Sequence, residues 1–292
     1  MVHSIYKTVT HYLYHPLFLV LVVPFSYLLI GTLYASQYSS FNFIRFLLLY
    51  SFIFFNHLLG NFLFKTIKSP FSFNHIPFLI FEVLNLLLIY YFAYNIHYLV
   101  GLLCFFYSLV IHLQFYLVKQ GYSWLMLFFS SVFKGGILTY LSFFVQANFI
   151  PNTLFYWSIP LILMVFLVEL GKLQLNYTKI NGQLNDHDPN NLFLDHKHFQ
   201  RIVLYLLILI YAVSFISFIP TFKSLSFIFI LTLPFTVKVV QLVFSKKKSI
   251  SAKLTQRTLQ LCAISFFISF SIMLFIYTFW GYSLKETGSM DA

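Results

Sequence analysis

Acidic side chains are scarce in this chain. Asp and Glu number 7 among 292 residues, against 18 Lys and Arg, and they can be named in full: Glu82, Glu169, Asp186, Asp188, Asp195, Glu286 and Asp291. A mechanism that needs two carboxylate clusters has almost nothing to draw on. Cysteine is scarcer still. Cys104 and Cys262 both lie inside apolar runs, and neither begins a C-x-x-C or zinc pattern, so a disulfide scaffold and a redox or zinc site are without support. Charged residues of all kinds make up 9%, while 60% are hydrophobic and 22% aromatic, more apolar surface than a soluble domain of this length can bury. Water is not the main solvent of this protein.

A hydrocarbon core about 30 Å thick takes roughly 20 helical residues per crossing. Apolar runs of about that length lie at approximately 16–36, 43–64, 77–95, 98–117, 124–146, 154–174, 201–219, 226–243 and 259–281, separated by turn and charge signals. They predict one integral membrane domain over 1–292, all-α, with about nine transmembrane helices. The first run is long enough to span and is followed by no convincing small-x-small pattern, so it reads as a permanent span and not as a cleaved signal.

The basic residues orient this layout. With the N-terminus in the cytoplasm, the inner connections hold Lys7, Lys65, Lys68, Lys119, Lys179, Lys197, Arg201, Lys246, Lys247, Lys248, Lys253 and Arg257, with Lys172 at the same edge. The outer side keeps Arg45, Lys223 and Lys285. An odd number of spans, N-terminus inside and C-terminus outside, satisfies the positive-inside bias. The formal charge of +11 is thereby explained as topology and attraction to anionic lipid, not as nucleic acid binding.

Polar residues gather at two helix ends on that inner side. Asn61, Lys65 and Lys68, after the second run, are spaced by four and then three, which puts them on one helix face. Lys172, Asn176 and Lys179, after the sixth, repeat the spacing. Each end presents an amide and two ammonium groups along one stripe. The plainer reading of such lysines is that they snorkel to headgroups.

This layout resembles the UbiA superfamily of intramembrane prenyltransferases, in its span number and in its polar signatures at the ends of spans two and six. The stretch Phe115 to Phe129, with Phe133-Lys134-Gly135-Gly136, is similar to the menaquinone-type branch, as is Thr255-Gln256-Arg257-Thr258-Leu259-Gln260-Leu261. The resemblance implies a UbiA-like fold and transfer of a polyprenyl diphosphate to an aromatic or other small acceptor, with Mg2+ as cofactor and a quinone pathway as context. Where the family sets magnesium between carboxylates and diphosphate, lysines of this chain can meet phosphate oxygens directly, so the expected substrate-binding residues are Asn61, Lys65, Lys68, Lys119, Lys172, Asn176 and Lys179. The departure lies in the Asp-rich motifs. With Asn61 and Asn176 set on the family's asparagines, the expected acids fall on Phe62, Lys65 and Ser69, and on Tyr177, Ile180 and Leu184. Magnesium needs hard oxygen ligands. No catalytic residue is therefore assigned. The alternative is a degenerate relative that binds an isoprenoid or anionic lipid, or serves a protein partner in the membrane. A secondary transporter ranks third, because no inverted repeat or Gly/Pro-broken helix pair stands out.

Displaced metal ligands are one remaining option. Asp186 and Asp188, with Asp195 and the histidines His187, His196 and His198, could hold a cation, but the spacing matches no EF-hand or zinc motif and reads first as a solvated loop. Inside the spans, Glu82 and Asn85 share a face, and Glu82 has Lys134 or Lys238 as a candidate partner. The 40 phenylalanines are spread over every run, as lipid-facing and interhelical filler.

Overall fold

The computed structural model describes residues 12–66, 75–180, 196–245 and 252–288, and every regular element among them is helical. In chain order they are α1 (Pro16–Ala35), α2 (Phe43–Thr66), α3 (His75–Asn95), α4 (Tyr98–Lys119), α5 (Ser123–Ser131), a π-helical turn (Val132–Ile137), α6 (Leu138–Ala147), α7 (Asn152–Ile180), α8 (His196–Phe222), a 3-10 helix (Lys223–Thr232), α9 (Leu233–Val243) and α10 (Ala252–Gly288). With no water to satisfy backbone groups in hydrocarbon, an all-helical chain is what this composition requires.

Seven helical stretches among the described residues are long and apolar enough to cross a membrane, and the protein is a multi-pass helical membrane bundle. The nine runs expected from sequence differ from these seven at two places. The apolar part of α4 is the shorter Tyr98–Gln114, and the runs at 201–219 and 226–243 join without a loop in one helical stretch, Lys197–Val243. A straight helix of those 47 residues would be about 70 Å long, more than twice the hydrocarbon thickness. It folds back instead. The turn lies at Lys223, whose φ is +49°, and Gln200 Nε2 near the start of α8 donates to the Val243 carbonyl at the end of α9 (2.7 Å). Phe218 and Phe229 stack across the fold with ring centroids 5.1 Å apart.

Burial sorts the helices into two layers. About two thirds of the span residues of α1, α5–α6, α7 and α10 are buried, whereas only 11% of the α3 span is. The first group packs mutually and forms the centre; α2, α3, α4, α8 and α9 stand around it. Leu79, Leu86, Leu87, Tyr90 and Tyr94 on α3 are exposed apolar side chains that water would not tolerate and a bilayer does. Lipid gives helices no hydrophobic reason to associate, so close backbone approach carries the packing. A Cβ at Gly31 of α1 would lie 2.2 Å from the Thr139 carbonyl oxygen of α6, and one at Gly135 would lie 2.6 Å from Ile162 Cα of α7. The boundary between α3 and α4 is set by His97, whose side chain caps α4 by accepting from the Leu99 amide (3.2 Å).

One end of the bundle is closed by polar ties. Gln146 exchanges two bonds with the Asn42 backbone (2.9 and 3.1 Å), Arg45 Nη1 donates to the Val145 carbonyl (3.0 Å), and Gln37 Nε2 donates to Thr278 (2.7 Å). The opposite end, where α2 and α7 finish and α10 begins, carries most of the lysines and is called the basic end below.

Candidate functional site

Toward the basic end, three charged side chains meet inside the bundle. Glu169 of α7 is 1% exposed, and its Oε1 accepts from Lys134 Nζ at 2.8 Å and from Lys172 Nζ at 2.7 Å. At 1.5 Å per residue, Glu169 lies about 9 Å inside the end of its span at Leu175, and Lys134 about 16 Å from the start of its own span at Ser123. An ammonium at that depth is costly without a partner. Lys134 meets the cost by reaching across to Glu169. Lys172 is the third member, one turn beyond Glu169 on α7, and its side chain remains 31% exposed.

The local sequence explains how Lys134 gets there. Gly135 and Gly136 follow it, and two consecutive glycines weaken an α-helix by about 1 kcal/mol each. The span breaks there into the π-helical turn, a form that recurs at functional sites. Gly135 then lets the turn press against the α7 backbone at Leu161 and Ile162. Pro160, just before them, removes an amide from α7. α5 and α6 are thus one helix, interrupted at the lysine that enters the site.

Other polar groups surround the cluster. His57 of α2 lies within electrostatic reach of Lys172, Lys134 and Glu169, and Tyr27 and Tyr107 within reach of Glu169. A small cleft with room for about one water molecule lies between α1, α7 and α10, with Ser26, Tyr27, Lys172 and Gln260 among its walls. The adjoining Gln256 amide and the Oδ1 of Asn56 are buried without a hydrogen-bond partner among the described residues. With two ammonium groups and one carboxylate, the cluster holds a formal charge of +1.

The residues singled out from the sequence are distributed as follows. Lys172 is part of the cluster, but its first partner is Glu169, one turn behind it. Asn61 is exposed. Lys65, Lys119, Asn176 and Lys179 fall in α2, α4 and α7, and their side chains lie outside the described residues, as do Lys68, Asp186 and Asp188 altogether. Glu82 takes neither Lys134 nor Lys238, which corrects that expectation. It bonds His112 of α4, Oε2 to Nε2 at 3.1 Å, because α3 packs on α4 and not on the π turn. Lys238 sits over the Tyr14 ring, 4.9 Å from its centroid. A buried chain of side chains ties α2, α3 and α4: Asn56 Nδ2 donates to Asn85 Oδ1 (2.7 Å), and Asn85 Nδ2 donates to Ser108 Oγ (2.8 Å). Glu169 as the centre was missed, although Glu169 and Lys172 stand at i, i+3, a spacing that pairs opposite charges on a helix.

Magnesium does not fit these donors. Glu169 is the one carboxylate of the cluster among the described residues, and one of its oxygens already serves two ammonium groups. No group of three or more His, Cys, Asp or Glu able to hold a metal ion occurs among the described residues. No protein-family model, no curated protein and no solved structure matches this chain.

Proposed function

We propose that this chain is a UbiA-like membrane protein that holds the anionic phosphate head of an isoprenoid lipid at the Lys134–Glu169–Lys172 cluster, with its hydrocarbon tail among the apolar helices. The observation that carries this is the charge balance. Buried Lys134 and partly exposed Lys172 share one carboxylate, so among the described residues one positive charge is left without a counterion at the mouth of the bundle. An anion entering beside Lys172 balances it and gains charge-assisted hydrogen bonds. The nine crossings of the UbiA comparison are kept by counting α4 as one crossing and the folded-back α8–α9 stretch as two. The excess of lysine at the basic end supports the reading in which that end, and the N-terminus, face the cytoplasm.

Prenyl transfer from a polyprenyl diphosphate to an aromatic acceptor requires the leaving diphosphate to be neutralised. Two divalent ions do this with four positive charges; the cluster offers one. Transfer is therefore slow or absent here, and binding without metal is the activity. The test is binding of geranylgeranyl diphosphate to the purified protein, with magnesium and with a chelator, in the parent and in Lys172→Ala. Binding insensitive to chelator and about tenfold weaker in the variant is the expected result. Brisk magnesium-dependent transfer to an aromatic acceptor would overturn it and point to Asp186 and Asp188.

A further inference from the structure

Away from the Lys134–Glu169–Lys172 cluster, α3 and α4 hold a second ionisable pair, and its hydrogen-bond geometry fixes how many protons it carries. Glu82 Oε2 lies 3.1 Å from His112 Nε2, and the other ring nitrogen, Nδ1, lies 2.7 Å from the Ser108 carbonyl oxygen one turn back on α4. A carbonyl oxygen only accepts, so Nδ1 carries a hydrogen and donates it; the ring's state is assigned from its partners. A bare Nε2 would then turn its lone pair on a carboxylate oxygen. The contact is a hydrogen bond only with a proton in it, whether the pair is written as imidazolium and carboxylate or as imidazole and carboxylic acid. Both forms hold the same number of hydrogens and carry no net charge.

The surroundings require that proton. At 1.5 Å per residue, Glu82 lies about 9 Å inside the start of its span at Ile76, and His112 about 10 Å before the end of α4 at Lys119. A carboxylate beside a neutral imidazole at that depth is an unbalanced charge, which hydrocarbon penalises. No lysine or arginine among the described residues pairs with Glu82. Of the helices packed on α3 and α4, α5 brings no titratable side chain and α6 only Tyr140, which bonds Ser158. At this level α2 brings His57, which is within reach of Lys134, Lys172 and Glu169, and Lys65, whose side chain lies outside the described residues. On α4 itself, exposed Tyr116 stands one turn beyond His112, followed by Lys119, whose side chain also lies outside them.

The pair is held in place from one side and open on the other. Ser108, whose carbonyl takes the His112 hydrogen, accepts from Asn85 Nδ2 with its hydroxyl (2.8 Å), and Asn85 Oδ1 accepts from Asn56 Nδ2 (2.7 Å). Amides and a hydroxyl do not titrate near neutral pH, so the exchangeable proton of this assembly belongs to Glu82 and His112. Their side chains are 28% and 29% exposed, which leaves that proton able to exchange.

We infer that Glu82 and His112 form an intramembrane proton-binding site, which takes one proton from water at the basic end and is neutral only while it holds it. The site is independent of the anion site proposed above. Release of the proton sets a ring lone pair against a carboxylate, and the bond that joins α3 to α4 at this point is lost. The folded state therefore weakens as pH rises.

The experiment combines solid-state nitrogen NMR of the full chain in phosphatidylcholine bilayers, its histidines labelled with heavy nitrogen, with unfolding in mixed micelles across pH. The proteins are the parent, Glu82→Gln and His112→Gln. The signal missing from His112→Gln identifies His112. In Glu82→Gln the amide brings a hydrogen of its own to Nε2, so the contact persists with nothing to titrate. Between about pH 6 and about pH 9, the Nε2 signal of His112 in the parent is expected to move while Nδ1 stays protonated. Over the same range the folding constant of the parent should fall more steeply than that of Glu82→Gln, by close to one proton, or about tenfold per pH unit at the steepest. A His112 signal that stays fixed, or equal slopes in the two proteins, overturns the inference and leaves the pair a static tie between helices. Should Glu82→Gln fail to fold, the Nε2 signal of the parent decides alone.

Discussion

Replacing Glu169 by Gln removes the one negative charge of the intramembrane cluster while keeping an oxygen of the same reach. Lys172, already 31% exposed, can swing outward to the mouth. Lys134 cannot, because its side chain is only 10% exposed and its backbone is held by the π turn against α7. The change therefore leaves one ammonium deep in the bundle without a carboxylate. Removing one partner of a buried pair costs about 3–5 kcal/mol, and a lysine near a span's centre about 3 kcal/mol on an insertion scale. We expect Glu169→Gln to destabilise by about 3 kcal/mol, a shift of roughly two orders of magnitude in the folding equilibrium. Glu169→Leu combined with Lys134→Met removes both charges and should recover to within about 1 kcal/mol of the parent. Equilibrium unfolding in mixed micelles, followed by tryptophan fluorescence, measures all of these. If Glu169→Gln unfolds within about 0.5 kcal/mol of the parent and the double variant is additive, Lys134 is not held by Glu169 and the electrostatic reasoning fails.

Three other outcomes are expected. Gly135→Leu drives a Cβ to 2.6 Å from Ile162 Cα, so it should destabilise by about 1–3 kcal/mol or more and displace Lys134; Gly136→Ala meets only the end of the Ile162 side chain at 3.1 Å and should be milder when both are unfolded side by side. Asn85→Leu cuts the Asn56–Asn85–Ser108 chain and should cost about 1 kcal/mol in the same assay, the scale of interhelical hydrogen bonds in membranes; a loss above about 3 kcal/mol would mean that the chain does more than tie α2, α3 and α4. For orientation, single cysteines placed at Asn190 and Ser283 should label from opposite sides of sealed cells, and labelling of both from one side would refute the odd number of crossings.

What could be read from the sequence follows from range. A span is a local property, so the runs at 43–64, 77–95 and 154–174 coincide closely with α2, α3 and the apolar part of α7. The break at Lys134 was not legible, because Gly135-Gly136 inside an apolar run is compatible with a weakened helix, a kink or a π turn, and the choice was made by contact with α7. Partners of buried charge were not legible either. Lys134 is 35 positions from Glu169 and 52 from Glu82, separations that do not choose between the two acids; only packing decides which helix faces which. The pair Glu169–Lys172, by contrast, is written locally, at i, i+3 on one helix, next to the Lys172–Asn176–Lys179 stripe.

The central claim is that the buried charges serve an anionic lipid and are not merely a structural triad. Lipid mass spectrometry on the purified protein tests this most directly, comparing the parent with a Lys134→Met, Glu169→Leu, Lys172→Met variant. Replacing a buried ionic triad by apolar side chains of similar size leaves folding neutral or improved, so the variant remains a fair comparison. The parent should retain about one equivalent of a phosphate-bearing lipid through purification, and the apolar variant none above the detergent background. Equal retention by both, or by neither, would contradict the claim.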